Sequence, residues 1–161
     1  MLLSVSRPLL RGAPSSALAR PLFRSFSSSP SPPPPLVTRE SLGDGIVHVK
    51  LNNPKKHNSL SMPMFKAISE MASAVATEKE VRVVIFSGEG KSFCTGLDVK
   101  GVASNPTNFA KLLERGAGTP VSNLAQDVGY LWRQCPFPVI ASLHGKCFGG
   151  GMQIALGCDF R

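Results

Sequence analysis

A mainly β-branched segment, Val81 to Phe86, restricts the fold of this chain more than any other sequence feature. It is followed by Gly88 and Gly90, and a run of this kind is typical of a strand that is buried on both faces. A second strand is predicted at Ile46 to Leu51, where apolar and polar side chains alternate as they do in a strand with one buried face.

The segment between these two strands has the pattern of an amphipathic helix. Ser61 is in position to cap its first turn, in which Pro63 is tolerated. Apolar side chains then recur at helical spacing, at Met64, Ile68, Met71 and Val75. Two strands that flank a helix predict a β-α-β arrangement and therefore an α/β fold.

The second half of the chain predicts another helix and another strand before a glycine run. After a loose stretch from Ala103 to Pro120, the apolar face of a helix is formed by Val121, Leu124, Val128 and Leu131. That helix should end before Cys135, since residues that precede a proline avoid the helical region. A short buried strand is predicted at Val139 to Leu143. The run Gly149-Gly150-Gly151 follows it, and a last helix is expected to begin at Met152.

The net charge of +8 is concentrated at the N-terminal end. Residues 1–39 hold five arginines and no acidic residue, so subtracting five from +8 leaves +3 for the rest. A nucleic-acid surface needs a basic cluster on the folded part, often with aromatic side chains. Lys55-Lys56 is the only adjacent basic pair, so nucleic acid is not expected as a partner. No apolar run reaches the ~18 residues of a membrane span.

Residues 1–35 have the composition of an organelle transit peptide followed by a Pro/Ser-rich linker. They are rich in arginine and serine and free of acid, as such leaders are. Arg24-Ser25-Phe26 resembles a mitochondrial processing site. The predicted location is the mitochondrial matrix, with the plastid as the alternative, and residues 36–161 are predicted to be the folded domain.

The four cysteines carry no metal-binding pattern. They form no C-x-x-C pair, and no histidine lies at ligand spacing from them. We expect small, largely buried thiols and no metal site. His57 and His144 are expected to have structural roles in their loops, and Asp159 is expected to shape the end of the last helix.

Two segments offer backbone amides to a ligand. The first is Phe93 to Lys100, beyond one buried strand, and the second is the glycine run, beyond another strand and at a helix start. Glycine lets a ligand approach the backbone, and a helix N-terminus has unpaired N–H groups. The spacing fits neither a phosphate loop nor a dinucleotide fingerprint. From the residues alone, a plain turn remains the alternative for the glycine run.

Three ordered motifs resemble the enoyl-CoA hydratase/isomerase (crotonase) family: Asn52 to Leu60, Val81 to Lys100 and Pro138 to Arg161. The resemblance implies a spiral of β-β-α repeats and assembly of full-length members as homotrimers or hexamers. It implies a coenzyme A thioester as substrate, no separate cofactor, and a role in fatty-acid or acyl-CoA breakdown. It also implies that the backbone amides of Leu97 and Gly150 form an oxyanion hole. The implied substrate-binding residues are Lys56, Ser59, Gly96, Asp98, Val99, Lys100 and Gly149.

The chain departs from the family pattern at Gln153. Hydratases of the family carry a glutamate at this position, two residues after the glycine run, and a side-chain amide takes no proton at neutral pH. The second glutamate of such hydratases would lie beyond Arg161, so the domain is expected to be incomplete at its C-terminus. The sequence predicts an isomerase or atypical hydratase. The alternative is a non-catalytic acyl-CoA-binding or assembly fragment that lacks the general base. Asp98 is expected to fix its loop instead of acting as a base.

Overall fold

The computed structural model describes residues 32–115 and 121–161, and Pro33–Arg161 forms one compact unit. The predicted leader lies almost entirely outside the described residues and stays a prediction. Within the described ranges the chain forms six strands and five α-helices. The strands are β1 (Val37–Gly43), β2 (Ile46–Leu51), β3 (Val83–Gly88), β4 (Ser92–Cys94), β5 (Val139–Ala141) and β6 (Lys146–Cys147). The helices are α1 (Met62–Ala76), α2 (Val99–Ala103), α3 (Thr107–Leu113), α4 (Leu124–Arg133) and α5 (Gly150–Gly157).

The strands form two sheets in a repeating order. The larger sheet has the order β1-β2-β3-β5, in which β1 is antiparallel to β2 and the other neighbours are parallel. The smaller sheet pairs β4 with β6 in parallel. Each of the units β3-β4-helix and β5-β6-helix therefore gives one strand to each sheet before its helical segment. This is the β-β-α repeat that the α/β prediction specified.

The sequence patterns located the long strands and missed the short ones. β2 has the predicted bounds, and β3 begins two residues later than predicted, at Val83. The strand predicted at Val139 to Leu143 ends at Ala141. β4 and β6 have three and two residues, too few to show a period. β1 is an edge strand that buries little beyond Val37, so its sequence has no apolar alternation.

Helix α1 begins as predicted. The Ser61 side chain accepts a hydrogen bond from the Met64 amide at 3.4 Å. Met64, Ile68 and Val75 are fully buried against the larger sheet, whereas Met71 lies at the margin of the core. Burial of such side chains contributes roughly 1.5–3 kcal/mol each.

The prediction for helix α4 was partly wrong. A capping box of Asn123 and Gln126 starts the helix at Leu124, so Val121 precedes it and is exposed. Val128 is buried as predicted, and Trp132, which the predicted face omitted, packs its ring 4.6 Å from that of Phe86. The helix ends at Arg133, before the prolines, as expected.

The stretch predicted to be loose between Ala103 and Pro120 contains helix α3 and follows α2. One buried side chain anchors each of these helices, Val102 and Leu112. A single anchor gives no helical periodicity, which is why the pattern was missed. None of the helices in the described ranges combines the length and apolar character of a bilayer-spanning helix.

Helix α5 begins at Gly150, two residues before the predicted start. Ile154 and Ala155 are buried, whereas Met152 and Leu156 are exposed. The glycines themselves therefore form the first turn of the helix. Their backbone amides therefore lie at the end of the smaller sheet, at the start of a helix.

Asn58 connects the loop after β2 to the smaller sheet. Its side chain is fully buried. The amide nitrogen donates to the carbonyls of Glu89, Ser92 and Phe93 at 2.8–3.1 Å, and the oxygen accepts from the Asn53 amide at 2.8 Å. Its φ of 55° is one that asparagine tolerates better than most residues.

We predict that Asn58→Ala destabilises the fold by about 3 kcal/mol, because it leaves buried carbonyls without donors. The measurement is the free energy of unfolding in urea. Asn58→Gly, which accepts the positive φ but has no side chain, should remain similarly destabilised. Asn52→Ala, which removes one exposed bond to Pro35, should cost less than about 1 kcal/mol. Equal losses at Asn58 and Asn52 would contradict the role given to Asn58.

Candidate functional site

Two loops leave the smaller sheet side by side. Cys94 of β4 lies directly opposite Cys147 of β6 in the parallel pairing. The Phe148 amide donates to the Cys94 carbonyl at 3.0 Å, which extends the pairing into the next residue. The segment from Thr95 therefore runs beside the start of the glycine run.

The two loops touch through glycine. Gly96 has a φ of 85° and Gly149 a φ of 49°, both in the region that side chains avoid. A Cβ atom on Gly96 would lie 2.9 Å from the Phe148 carbonyl oxygen and 3.3 Å from the Gly150 nitrogen. A Cβ on Gly151 would lie 2.5 Å from the Cys94 carbonyl oxygen. Any side chain at these positions would push the loops apart.

This contact leaves two amides available. The Leu60 amide donates to Gly96 and the Leu60 carbonyl accepts from Asp98, at 2.8 and 3.0 Å, so the Leu97 N–H points away from Leu60. Across the described ranges, neither the Leu97 nor the Gly150 amide donates a hydrogen bond. Gly150 also lies at the positive end of α5. Two such donors side by side can stabilise one oxyanion.

Most of the predicted binding residues line one open groove, which we call the amide groove. It has a volume of about 680 Å³. Its lining residues are Lys56, His57, Ser59, Thr95, Leu97, Asp98, Val99, Lys100 and Gly101. Gly96 and Gly149 do not line it, and they hold its two loops together from behind. The structure thus brings Lys56, Ser59 and the segment Leu97 to Lys100 together, as the sequence predicted.

Asp98 links two parts of the wall of the amide groove. Its carboxylate accepts from the Lys56 ammonium at 2.9 Å and from the Gly101 amide at 3.1 Å, which caps α2. The hydrogen bond from Lys56, followed by that from Gly101, holds the pKa of the Asp98 carboxyl below its usual range. A carboxylate that is committed in this way is a poor proton acceptor. The expected structural role of Asp98 is confirmed.

The nearby thiol and imidazoles also have structural partners. Burial raises the pKa of the Cys94 thiol to about 11, so it is protonated at neutral pH. The His144 ring bonds the Gly90 carbonyl at 2.9 Å, and the His57 ring bonds the Ser92 hydroxyl at 3.1 Å. These contacts confirm the structural roles expected for both histidines. All four cysteines are free thiols.

Gln153 faces a different groove, which we call the helix groove. This groove lies between α4 and α5 and has a volume of about 560 Å³. It is lined by Leu113, Asn123, Ala125, Gln126, Gly129, Tyr130, Arg133, Gln153, Leu156 and Gly157. Gln153 is about one helical turn beyond Gly150 on α5, whereas Gly150 itself lines neither groove. None of the described residues that line the helix groove is acidic.

The helix groove depends on two glycines that the sequence analysis did not single out. A Cβ on Gly157 would lie 2.1 Å from the Gly129 carbonyl oxygen, and a Cβ on Gly129 would lie 2.9 Å from the Gln153 carbonyl oxygen. The helices therefore cross at backbone contact. Glycine inside two predicted helices, where it costs about 1 kcal/mol relative to alanine, was the signal that could have identified this crossing.

We predict that Lys56→Met raises the pKa of Asp98 toward its ordinary value of 3.8. The folded state holds this carboxyl at a lowered pKa, so its contribution to stability is complete above pH 3.8 and is lost as the pH falls through the lowered value. Titration of the Asp98 carboxyl carbon by NMR measures the shift. The control is Lys55→Met, which removes the neighbouring charge and should leave the titration unchanged. An unchanged Asp98 pKa in Lys56→Met would refute the ion pair in solution.

We predict that Gly96→Ala costs more stability than Gly43→Ala, although both glycines have a φ near 85–89°. A Cβ on Gly43 meets no atom within 4 Å, whereas one on Gly96 meets Phe148 and Gly150. The backbone strain, about 1–2 kcal/mol, is common to both variants. Urea unfolding should therefore show an excess loss at Gly96 of about 1–3 kcal/mol for forced overpacking. Equal losses would mean that the two loops are not in close contact.

Comparisons with known proteins agree with these features. A family model for enoyl-CoA hydratase/isomerase matches residues 41–161. The peroxisomal Delta(3,5)-Delta(2,4)-dienoyl-CoA isomerase of Arabidopsis thaliana is 30% identical over 130 residues, covering 78% of this chain and 46% of that protein. The mitochondrial enzyme of the same name from Mus musculus is 30% identical over 126 residues, covering 72% of this chain and 36% of that protein. The crystal structure of an enoyl-CoA hydratase from Bacillus anthracis has a TM-score of 0.67 at 30% identity, covering 78% and 46%. The chain thus spans less than half the length of each of these relatives.

Proposed function

From the premise that the chain belongs to the enoyl-CoA hydratase/isomerase family, we propose that it binds acyl-CoA and holds the thioester oxygen between the Leu97 and Gly150 amides. The observation that carries this proposal is the pair of amides without acceptors on two loops that glycine brings together. The Leu97 side chain is partly exposed and is not needed for this role.

The chemistry follows from charge on the thioester oxygen. In hydration of a 2-enoyl thioester, water adds to C3 and the electron pair moves to that oxygen, and C2 then takes a proton. In isomerisation of a 3-enoyl thioester, a proton leaves C2, the electron pair moves to the same oxygen, and C4 then takes a proton as the double bond forms between C2 and C3. Fixed amides stabilise the enolate in both reactions, by about 3 kcal/mol per donor in enzymes where one was removed. Both reactions also need a group that carries the proton.

A second candidate function is acyl-CoA binding without turnover. Gln153, at the position where hydratases of the family carry a glutamate, has a neutral amide that cannot accept a proton as a base at neutral pH. The described residues of the helix groove include no acid, and Asp98 is committed to Lys56 and Gly101. These observations favour a module that binds and polarises the thioester without supplying the base.

The amide groove suits the polar part of coenzyme A. Lys56 and Lys100 provide positive charge and Ser59 a hydroxyl along its wall, and we assign Lys56 and Ser59 to the nucleotide end of CoA. Asp98 neutralises part of the Lys56 charge. Val99, which is exposed, offers an apolar contact beside Gly96. The thioester is the substrate, and the proposal needs no further cofactor.

We place this function in acyl-CoA breakdown in the mitochondrial matrix, with the plastid as the alternative. The mitochondrial and peroxisomal relatives support an organelle, and the acid-free leader supports import. A homotrimer or hexamer is proposed for full-length members of the family.

We predict that the full chain binds butyryl-CoA and that binding shifts the carbonyl resonance of a 13C-labelled thioester, because hydrogen bonds polarise that bond. Gly96→Ala should weaken binding at least about 10-fold by pushing the two amide-bearing loops apart, the equivalent of about 1.4 kcal/mol. Leu97→Ala, which keeps the amide, should bind within about 2-fold of the native chain. Calorimetry and NMR measure the two effects.

Turnover distinguishes the two candidate functions. Loss of trans-2-enoyl-CoA or interconversion with the trans-3 isomer supports the enzyme, and binding without either supports the non-catalytic module. A folded chain, verified by circular dichroism, that binds no acyl-CoA overturns both.

A further inference from the structure

The helix groove carries a polar pattern that a plain hydrocarbon chain would not use. We propose that it binds the acyl group of a CoA thioester that bears a second, distal carboxylate, a dicarboxylic acyl-CoA. The inference rests on the proposed function, because the thioester must first be held at Leu97 and Gly150. It adds the class of acyl group and names Arg133 as the residue that recognises it.

The groove begins on α5 at Gln153, one turn beyond the glycine start of the helix. Gln153, Leu156 and Gly157 are spaced i, i+3 and i+4, so they form one stripe of that helix. Gln153 lies three residues beyond Gly150, a rise of about 4.5 Å. An acyl chain that leaves a thioester carbon held by the Gly150 amide therefore meets Gln153 after about one helical turn and then enters the groove.

The opposite wall is one stripe of α4. Gln126, Gly129, Tyr130 and Arg133 follow at i, i+3, i+4 and i+7, and they all line the groove. Gly129 and Gly157 remove the side chains that would fill the space between the helices. The free space therefore runs along the crossing and has Arg133 on the last turn of α4.

The polar groups in the groove are mainly donors. Arg133 supplies a guanidinium, Tyr130 a hydroxyl and Gln153 an amide. The Gln126 oxygen is occupied by the Asn123 amide at 3.2 Å, which leaves its NH₂ as a donor. Arg133 forms no salt bridge with any acid in residues 32–115 and 121–161. A planar, charged fork with neighbouring donors and no acid matches a carboxylate.

Apolar side chains supply the rest of the wall. Leu113 and Leu156 line the groove and are largely exposed, which suits the methylenes between two carboxyl groups. A neutral chain of the same length would cover Arg133 without replacing the water it loses. The groove should therefore discriminate by charge at the far end of the acyl group.

Calorimetry on the full chain tests the inference with three thioesters of matched length: adipoyl-CoA, its monomethyl ester and hexanoyl-CoA. We expect adipoyl-CoA to bind roughly 10-fold more tightly than the other two, as a partly exposed charge-assisted hydrogen bond allows. Higher salt should reduce this preference. Arg133→Gln should abolish it, whereas Lys79→Gln, which removes an exposed charge remote from either groove lining, should preserve it.

Each outcome separates the inference from its premise. Equal binding of the three thioesters overturns the inference and leaves the proposed function intact, whereas no binding by the folded chain overturns the proposed function itself. An Arg133→Gln variant that melts earlier but keeps the adipoyl preference assigns Arg133 to stabilising the end of α4 and also overturns the inference.

Discussion

The backbone contact between Gly96 and the Gly149–Gly150 turn is the interaction on which the candidate site depends. The two backbones are so close that a Cβ added to Gly96 would lie only 3.3 Å from the Gly150 nitrogen. Without it, the Leu97 and Gly150 amides would be two separate donors in water, each worth little. Held together, they are preorganised for one oxygen, and no side chain reorganises when charge develops there.

The smaller sheet and the Asn58 side chain stabilise that contact. The β4–β6 pairing sets which residue of one loop meets which residue of the other. Asn58 donates to one carbonyl of the turn between β3 and β4 and to the carbonyls of the first two residues of β4. The site is therefore supported by a sheet too short to be stable by itself, and one buried amide side chain stabilises the turn that begins it.

Sequence reasoning succeeded where a pattern was long enough to carry a period. β2, β3, α1 and the end of α4 followed from alternation, helical spacing and prolines. β4 and β6 could not be found, because strands of two or three residues have no period, and the short α2 and α3 each have one buried anchor. The Val121 error arose because a capping box overrode the apolar spacing. Lys56, Ser59 and Leu97 to Lys100 were predicted as binding residues from motifs. Their common position in one groove, and that of Gln153 in another, could be seen only in the fold.

Leu97 lines the amide groove and Gln153 lines the helix groove. This separation explains how Gln153 can differ from the family pattern without affecting the amides. In the proposed function the donors to the thioester oxygen are backbone groups, so substitutions on α4 and α5 would leave them in place as long as the glycines remain. The proposed acyl recognition, by contrast, would depend on side chains of those helices. A change from glutamate to glutamine at position 153 removes a negative charge from the wall that faces Arg133. A carboxylate there would pair with the guanidinium or repel an anionic acyl group. The glutamine at position 153 therefore fits the proposed recognition of a distal carboxylate, because it places no negative charge in the groove that Arg133 lines.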